Sequence, residues 1–118
     1  CLRLLIDIDN ESDAEKIEAG WSDKNNMGKY GGMLFVFPVS GRHAMVMRGM
    51  RFPLDIVWLD GAAIIDIAPN LPPEPNAPED KLTIYGARAS STLVLELPAG
   101  FAQQFGLKIG GSATVSGR

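Results

Sequence analysis

Asp55-Ile56-Val57-Trp58-Leu59-Asp60-Gly61-Ala62-Ala63-Ile64-Ile65-Asp66-Ile67-Ala68 sets an Asp-Gly pair between two β-rich apolar runs. A type I′ turn needs two positive φ angles, which Asp and Gly tolerate, so the stretch predicts an antiparallel hairpin, Asp55 to Leu59 and Ala62 to Ala68, across Asp60-Gly61. Working outward, Met33 to Val39 is a short apolar run bounded by Gly32 and Ser40-Gly41, a further strand. Thr92 to Leu97 alternates, with Leu93, Leu95 and Leu97 on one face and Thr92, Val94 and Glu96 on the other. Between these lies Pro69 to Pro78, which holds five of the eight prolines. It can neither propagate a helix nor pair as a central strand, and an extended surface loop of polyproline-like geometry is expected there.

Toward the start of the chain, Leu2 to Ile8 reads as a strand that stops at Asp9-Asn10. Ser12 with Glu15 makes a capping box for a short helix through Ile17 and Ala19, closed by Gly20. Asn10-Glu11-Ser12 also fits a glycosylation acceptor. Trp21 to Gly32, with its Ser, Asp, Asn, Lys and Gly residues, reads as a loop. Toward the end, Pro98 opens a second short helix, Ala99 to Phe105, which Gly106 closes, and Ala113 to Val115 forms a last strand. Short strands at roughly ten-residue spacing without βαβ alternation predict a single domain over residues 1–118. Its expected fold is mostly β: a small, closed or nearly closed antiparallel barrel-like sheet with two short helices.

The composition narrows the function classes. The 118 residues carry 11 Lys and Arg against 14 Asp and Glu, a net charge of -3, with no basic run to track a phosphate backbone, so no nucleic-acid partner is expected. No apolar run approaches the roughly 18 residues needed to span a bilayer. The lone Cys1 cannot form an internal disulfide. A lipid-modified secreted protein begins its mature form at cysteine, as this chain does, and an unrelated cut at that point explains the start equally well. The expected location is periplasmic or extracellular, with membrane contact only through a lipid anchor at Cys1.

Four segments together carry a family resemblance: Gly32-Met33-Leu34-Phe35-Val36-Phe37-Pro38, Met47-Arg48-Gly49-Met50-Arg51-Phe52-Pro53-Leu54-Asp55-Ile56, Val94-Leu95-Glu96-Leu97-Pro98-Ala99-Gly100 and Gly106-Leu107-Lys108-Ile109-Gly110. In this order and spacing the chain resembles the family known as domain of unknown function 192, from about Ala14 onward. The resemblance implies a compact, mostly β domain of bacteria and archaea, often made with an export or lipoprotein signal, and no agreed activity. Two positions depart from the pattern. The family commonly has Trp-Met-Lys-Asn where this chain has Val46-Met47-Arg48-Gly49, and an acidic residue often stands where Gly111 is. The departure puts more weight on the positive charge at Arg48 than on the missing Asn.

Three sets of residues are candidates for chemistry. Asp55, Asp66 and Glu96 interrupt apolar strands, and a carboxylate there needs a charged or hydrogen-bonding partner. Arg48 and Arg51 are the nearest cations to Asp55 in sequence. Either Asp55 accepts backbone N–H groups or an arginine fork, or it pairs with Glu96 or Asp66 at a barrel mouth to bind sugar hydroxyls or act as acid and base. Trp58 is expected in the core, and Tyr85, beside Gly86 and near Arg88, is a ring that could stack on a ligand. His43, Met45 and Met47 alternate, and one imidazole with two thioethers forms a soft donor set for Cu(I); the alternative is that the methionines fill core gaps.

No nucleophile elbow, phosphate loop or metalloprotease helix is present, and no other cofactor is expected. The leading reading is a non-catalytic envelope or secreted binding module for a small molecule, a saccharide or an envelope protein, drawing on Arg48, Arg51, Asp55, Tyr85 and Glu96. The alternatives are a carboxylate-dependent hydrolase of a glycan or cell-wall substrate and a Cu(I) carrier through His43, Met45 and Met47.

Overall fold

The computed structural model describes residues 2–6, 15–16 and 32–113. Four long strands form the body of one antiparallel sheet: β3 (Gly32–Gly41), β4 (Leu54–Asp60), β5 (Ala63–Leu71) and β6 (Ser91–Pro98). Beside β3 the sheet continues into β1 (Leu2–Ile6) and the two-residue β2 (Glu15–Lys16), giving the order β2-β1-β3-β6-β4-β5. Both the expected hairpin and the alternating strand are present. β4 pairs with β5 from Asp60↔Ala63 to Leu54↔Leu71, and β6 lies between β3 and β4, with Phe35↔Val94 and Trp58↔Val94 in register.

Cross-strand partners share a face, so the register sorts the core into two layers. The first face carries Met33, Phe35, Leu54, Ile56, Trp58 and Val94, together with Met47, Met50 and Ala87 from the connections that cross it. The second carries Leu34, Val57, Leu59, Ile64, Leu95 and Leu97, with Phe101, Leu107 and Ala113 packed against them. Both faces are covered. That is why β4 reads as an unbroken apolar run from Ile56 to Leu59 and is buried from Leu54 to Leu59.

Several expectations are corrected. The sheet is not closed: β2 and β5 stand at opposite ends of the order, and no pairing joins them among the described residues. On the outer side of β5 the chain instead lays Gly110 to Ala113, with Gly110 N–H donating to Ile64 O, Ile64 N–H to Gly111 O and Ala113 N–H to Ala62 O. Farther along β5, Pro69 lacks a donor and Asn70 takes φ 54°, where the register with β4 shifts.

Nor do the described residues hold two helices. One short helix, α1 (Phe101–Gln104), and one lone 3₁₀ turn, Glu79–Lys81, are found among the described residues. Glu15 and Lys16, expected inside a capped helix, pair instead with Leu5 and Leu4. Helix α1 begins later than Pro98 because Pro98 still pairs with Leu54 and Gly100 turns the chain at φ 93°. The β4–β5 turn is Gly61-Ala62, with positive φ at Gly61 alone, which matches a II′ rather than a I′ pattern. β5 runs on through Pro69 to Leu71, as its place at the edge of the named strands allows. Cys1, the Asn10-Glu11-Ser12 site, the rest of the expected first helix, the Trp21 to Gly31 loop and all but Ala113 of the expected last strand lie outside the described residues, and just before Ala113 the structure has an isolated Ala63↔Ser112 bridge.

Candidate functional site on the first face of the sheet

The connection between β3 and β4 crosses the first face and is anchored by its own side chains. His43 stacks on Phe37, ring centroids 3.7 Å apart and planes within 7°, while its Nε2 sits 2.9 Å from Val39 O. Trp58 Nε1–H donates to His43 O at 2.7 Å, giving the buried indole the partner it needs. Met47 and Met50 enter the core, and Met50 N–H closes onto Met47 O around Gly49, at φ 66°. Polarizable, unbranched side chains suit the irregular gap between a crossing connection and a sheet.

The proline-rich chain then returns over this connection as a strap. Met45 and Tyr85 exchange both backbone hydrogen bonds at 2.8 Å, and Glu74 bridges in parallel to Arg48. Glu74 Oε1 accepts Thr83 N–H at 3.1 Å, tying the strap to itself. Across the gap Arg48 donates from Nε and Nη2 to the two carboxylate oxygens of Glu79, each at 2.7 Å. Both side chains are exposed, 62% and 69%. The guanidinium hydrogen bonds hold the Glu79 carboxyl below the usual carboxylate range, and Glu79 in turn raises Arg48.

Of the three carboxylates in apolar strands, two have their partners fully on view. Asp55 is 1% exposed on the second face, opposite Leu97. Its Oδ1 accepts Asn70 N–H at 2.8 Å; its Oδ2 accepts Gly100 N–H at 3.0 Å and Ala102 N–H at 2.8 Å. One side chain thus ties β4 to the end of β5 and caps the entry to α1, whose first N–H groups have no partner within the helix.

Asp66, 4% exposed, lies on the first face opposite Trp58. It accepts Arg88 Nε, Nη2 and backbone N–H, and the N–H of Ile67. The Arg88 hydrogen bond outweighs the burial and holds Asp66 below the usual carboxylate range. Arg88, near Tyr85 in sequence, is therefore engaged by Asp66, and Asp55 is held by backbone N–H groups and not by Arg48 or Arg51, its nearest cations in sequence.

The structure thus divides the candidate residues. Arg48 and Arg51 lie on the connection whose Met47 and Met50 pack on the first face, Tyr85 packs against the same cluster, and Glu96 stands between Met33 and Ile56 in register. Asp55 is on the opposite face. Asp66 and Glu96 share a face but are two strands and two residues apart, about 12 Å between Cα atoms at ordinary sheet spacings. Of the soft donor set, Met47 is wholly buried, Met45 is half-buried against the core, and His43 Nε2 meets a carbonyl. Among the described residues no cluster of three or more His, Cys, Asp or Glu could hold a metal ion. Glu79 was not singled out by sequence reasoning, since an exposed Glu in a proline-rich loop carries no local signal.

Comparison with known proteins follows the same architecture. A candidate transcription regulator of Sinorhizobium meliloti, solved by crystallography, is 24% identical, with a TM-score of 0.66 over 92% of this chain and 87% of that one. A protein of unknown function from Novosphingobium aromaticivorans is 22% identical, with a TM-score of 0.67 over 92% and 80%. At these identities the likeness establishes a shared fold. No curated protein matches the chain. The model of the DUF192 family, an uncharacterized ACR, matches residues 4–115, nearly the whole chain, and the chain belongs to that family.

Proposed function

We propose that this chain is a non-catalytic binding module of the cell envelope or the secreted space. It takes a small ligand or saccharide on the outside of the connections that cover the first face, at Arg48, Arg51 and Tyr85, with the buried Glu96 beneath them. The observation that carries the reading is the joining of Tyr85 to Met45: it pairs an aromatic residue with the position three residues before the exposed Arg48, on a connection anchored in the core. A ring that can stack and a fork that can grip an oxygen pair are the elements of saccharide and small-anion recognition.

The hydrolase alternative receives less support. A general acid needs a raised pKa, whereas Asp66 is lowered, and Asp55 sits behind the sheet with three backbone donors. Location outside the cytoplasm belongs to the same proposal; fractionation of cells that make the protein, with the chain recovered in the periplasmic or secreted fraction, checks it.

The test of binding is calorimetric titration with a panel of neutral and acidic envelope saccharides, repeated on Arg48→Ala and Tyr85→Leu. A ligand whose affinity falls about tenfold or more in both variants supports the reading, on the scale of a lost charged hydrogen bond or stacking contact. Affinities unchanged in both would remove the site.

A further inference from the structure

The carboxylate that fills the Arg48 fork comes from the chain itself. Nε meets Glu79 Oε1 and Nη2 meets Oε2, both at 2.7 Å, the two-point geometry with which arginine grips a carboxylate or phosphate. The segment that delivers Glu79 has little else to hold it down. No side chain of the Glu79–Lys81 turn is buried, the turn's own bond is Lys81 N–H to Pro78 O, and Ile84 farther along is 72% exposed. The strap is fastened at its two ends, by the Arg48↔Glu74 bridge and the Met45↔Tyr85 pair, and its middle meets the Arg48 fork through Glu79.

Segments with few buried apolar contacts and exposed hydrogen bonds open at low free-energy cost. An ion pair this exposed is worth little, so an incoming oxyanion can displace it. The strap would lift at Glu79 while both ends stayed in place.

From this, and resting on the binding-module reading above, we propose that Glu79 is a built-in pseudo-ligand. It occupies Arg48 until a bidentate oxyanion, the carboxylate of an acidic sugar or a phosphate group, takes its place. The ligand class is thereby narrowed from saccharides in general to those bearing such a group. Tyr85 would keep its place on the connection, since its backbone pairing with Met45 does not depend on Glu79.

The experiment titrates glucuronate, inorganic phosphate and neutral glucose into wild type, Glu79→Gln and Glu79→Gln/Arg48→Lys at low salt. Binding is read by calorimetry and by the ¹⁵N–¹H signal of Arg48 Nε. Glu79→Gln keeps shape and exposure but gives up the charge and one acceptor oxygen, and should bind glucuronate or phosphate about two- to fivefold tighter than wild type, the scale of an exposed ion pair. Arg48→Lys, which cannot form the fork, should erase that gain. Preference between glucuronate and phosphate identifies the oxyanion.

Equal, Arg48-dependent binding by wild type and Glu79→Gln would overturn the pseudo-ligand while leaving the module. Glucose bound as well as glucuronate in every variant would do the same. Failure of all three probes to bind any variant would overturn the pseudo-ligand, and the saccharide panel above decides the module by itself.

Discussion

Asp55 and Glu96 point away from each other through the sheet: Ile56 pairs with Glu96 and Asp55 with Leu97, so the two carboxylates leave neighbouring register positions on opposite faces. A pair that looks adjacent in a list of buried acids is separated by the thickness of the sheet. Asp55 therefore belongs to the architecture, and Glu96 to the face that carries Arg48, Arg51 and Tyr85.

Replacing Asp55 should damage stability first. Asp55→Ala leaves the N–H groups of Asn70, Gly100 and Ala102 without their acceptor, and the expected loss is about 3–5 kcal/mol. Asp55→Asn retains one acceptor oxygen. It should turn that oxygen to the Gly100 and Ala102 pair, setting its amide against Asn70 N–H, and lose roughly 2 kcal/mol. Urea midpoints rank the two, and an alanine variant as stable as wild type would refute the account.

Asp66 gives a pH dependence whose sign follows from its partner. Its folded pKa is depressed by Arg88, so the unfolded chain binds the proton more readily. The contribution is fully present above the ordinary aspartate value of about 3.9 and is lost as pH falls through the lower folded value. Denaturation at pH 6, 4 and 3 should show the gap between wild type and Asp66→Asn narrowing as the solution is acidified. A gap that stays constant would mean the Arg88 fork adds nothing to the charged form.

Gly100 isolates a backbone cost. It holds φ 93° before α1, and a methyl group there would meet nothing within 4 Å. Gly100→Ala should still cost about 1–2 kcal/mol, because the strain is in the left-handed backbone and not in the space around it. A crowded site is ruled out beforehand, so a neutral result could only mean that the turn relaxes.

The soft donor set is tested by making the core reading compete with the metal reading. Met47 is wholly enclosed, and leucine for methionine changes shape but little volume. Met45→Leu/Met47→Leu should lower stability by no more than about 1.5 kcal/mol per site and leave Cu(I) uptake against a competing chelator unchanged. Loss of uptake would restore the carrier reading, and would require Met47 to leave the core when the metal binds.

What was legible in the sequence is what local chemistry decides. Gly61 announced the β4–β5 hairpin, Gly106 the end of α1, and the Leu93-Leu95-Leu97 alternation the pleat of β6, because backbone conformation and side-chain period are properties of neighbouring residues. The need of Asp55 and Asp66 for partners was equally readable, since a buried carboxylate has no low-energy alternative. Tertiary structure alone decided which partners they found. Arg88 is 22 residues from Asp66, Ala102 is 47 from Asp55, and Glu79 is 31 from Arg48, and no period or turn signal reaches across such distances. The same holds for closure of the sheet. Alternation tells a strand to hide one face or both, but whether the layer that hides it is more sheet, a strap or a single turn of helix depends on how the connections return. That is settled by packing among all of them at once.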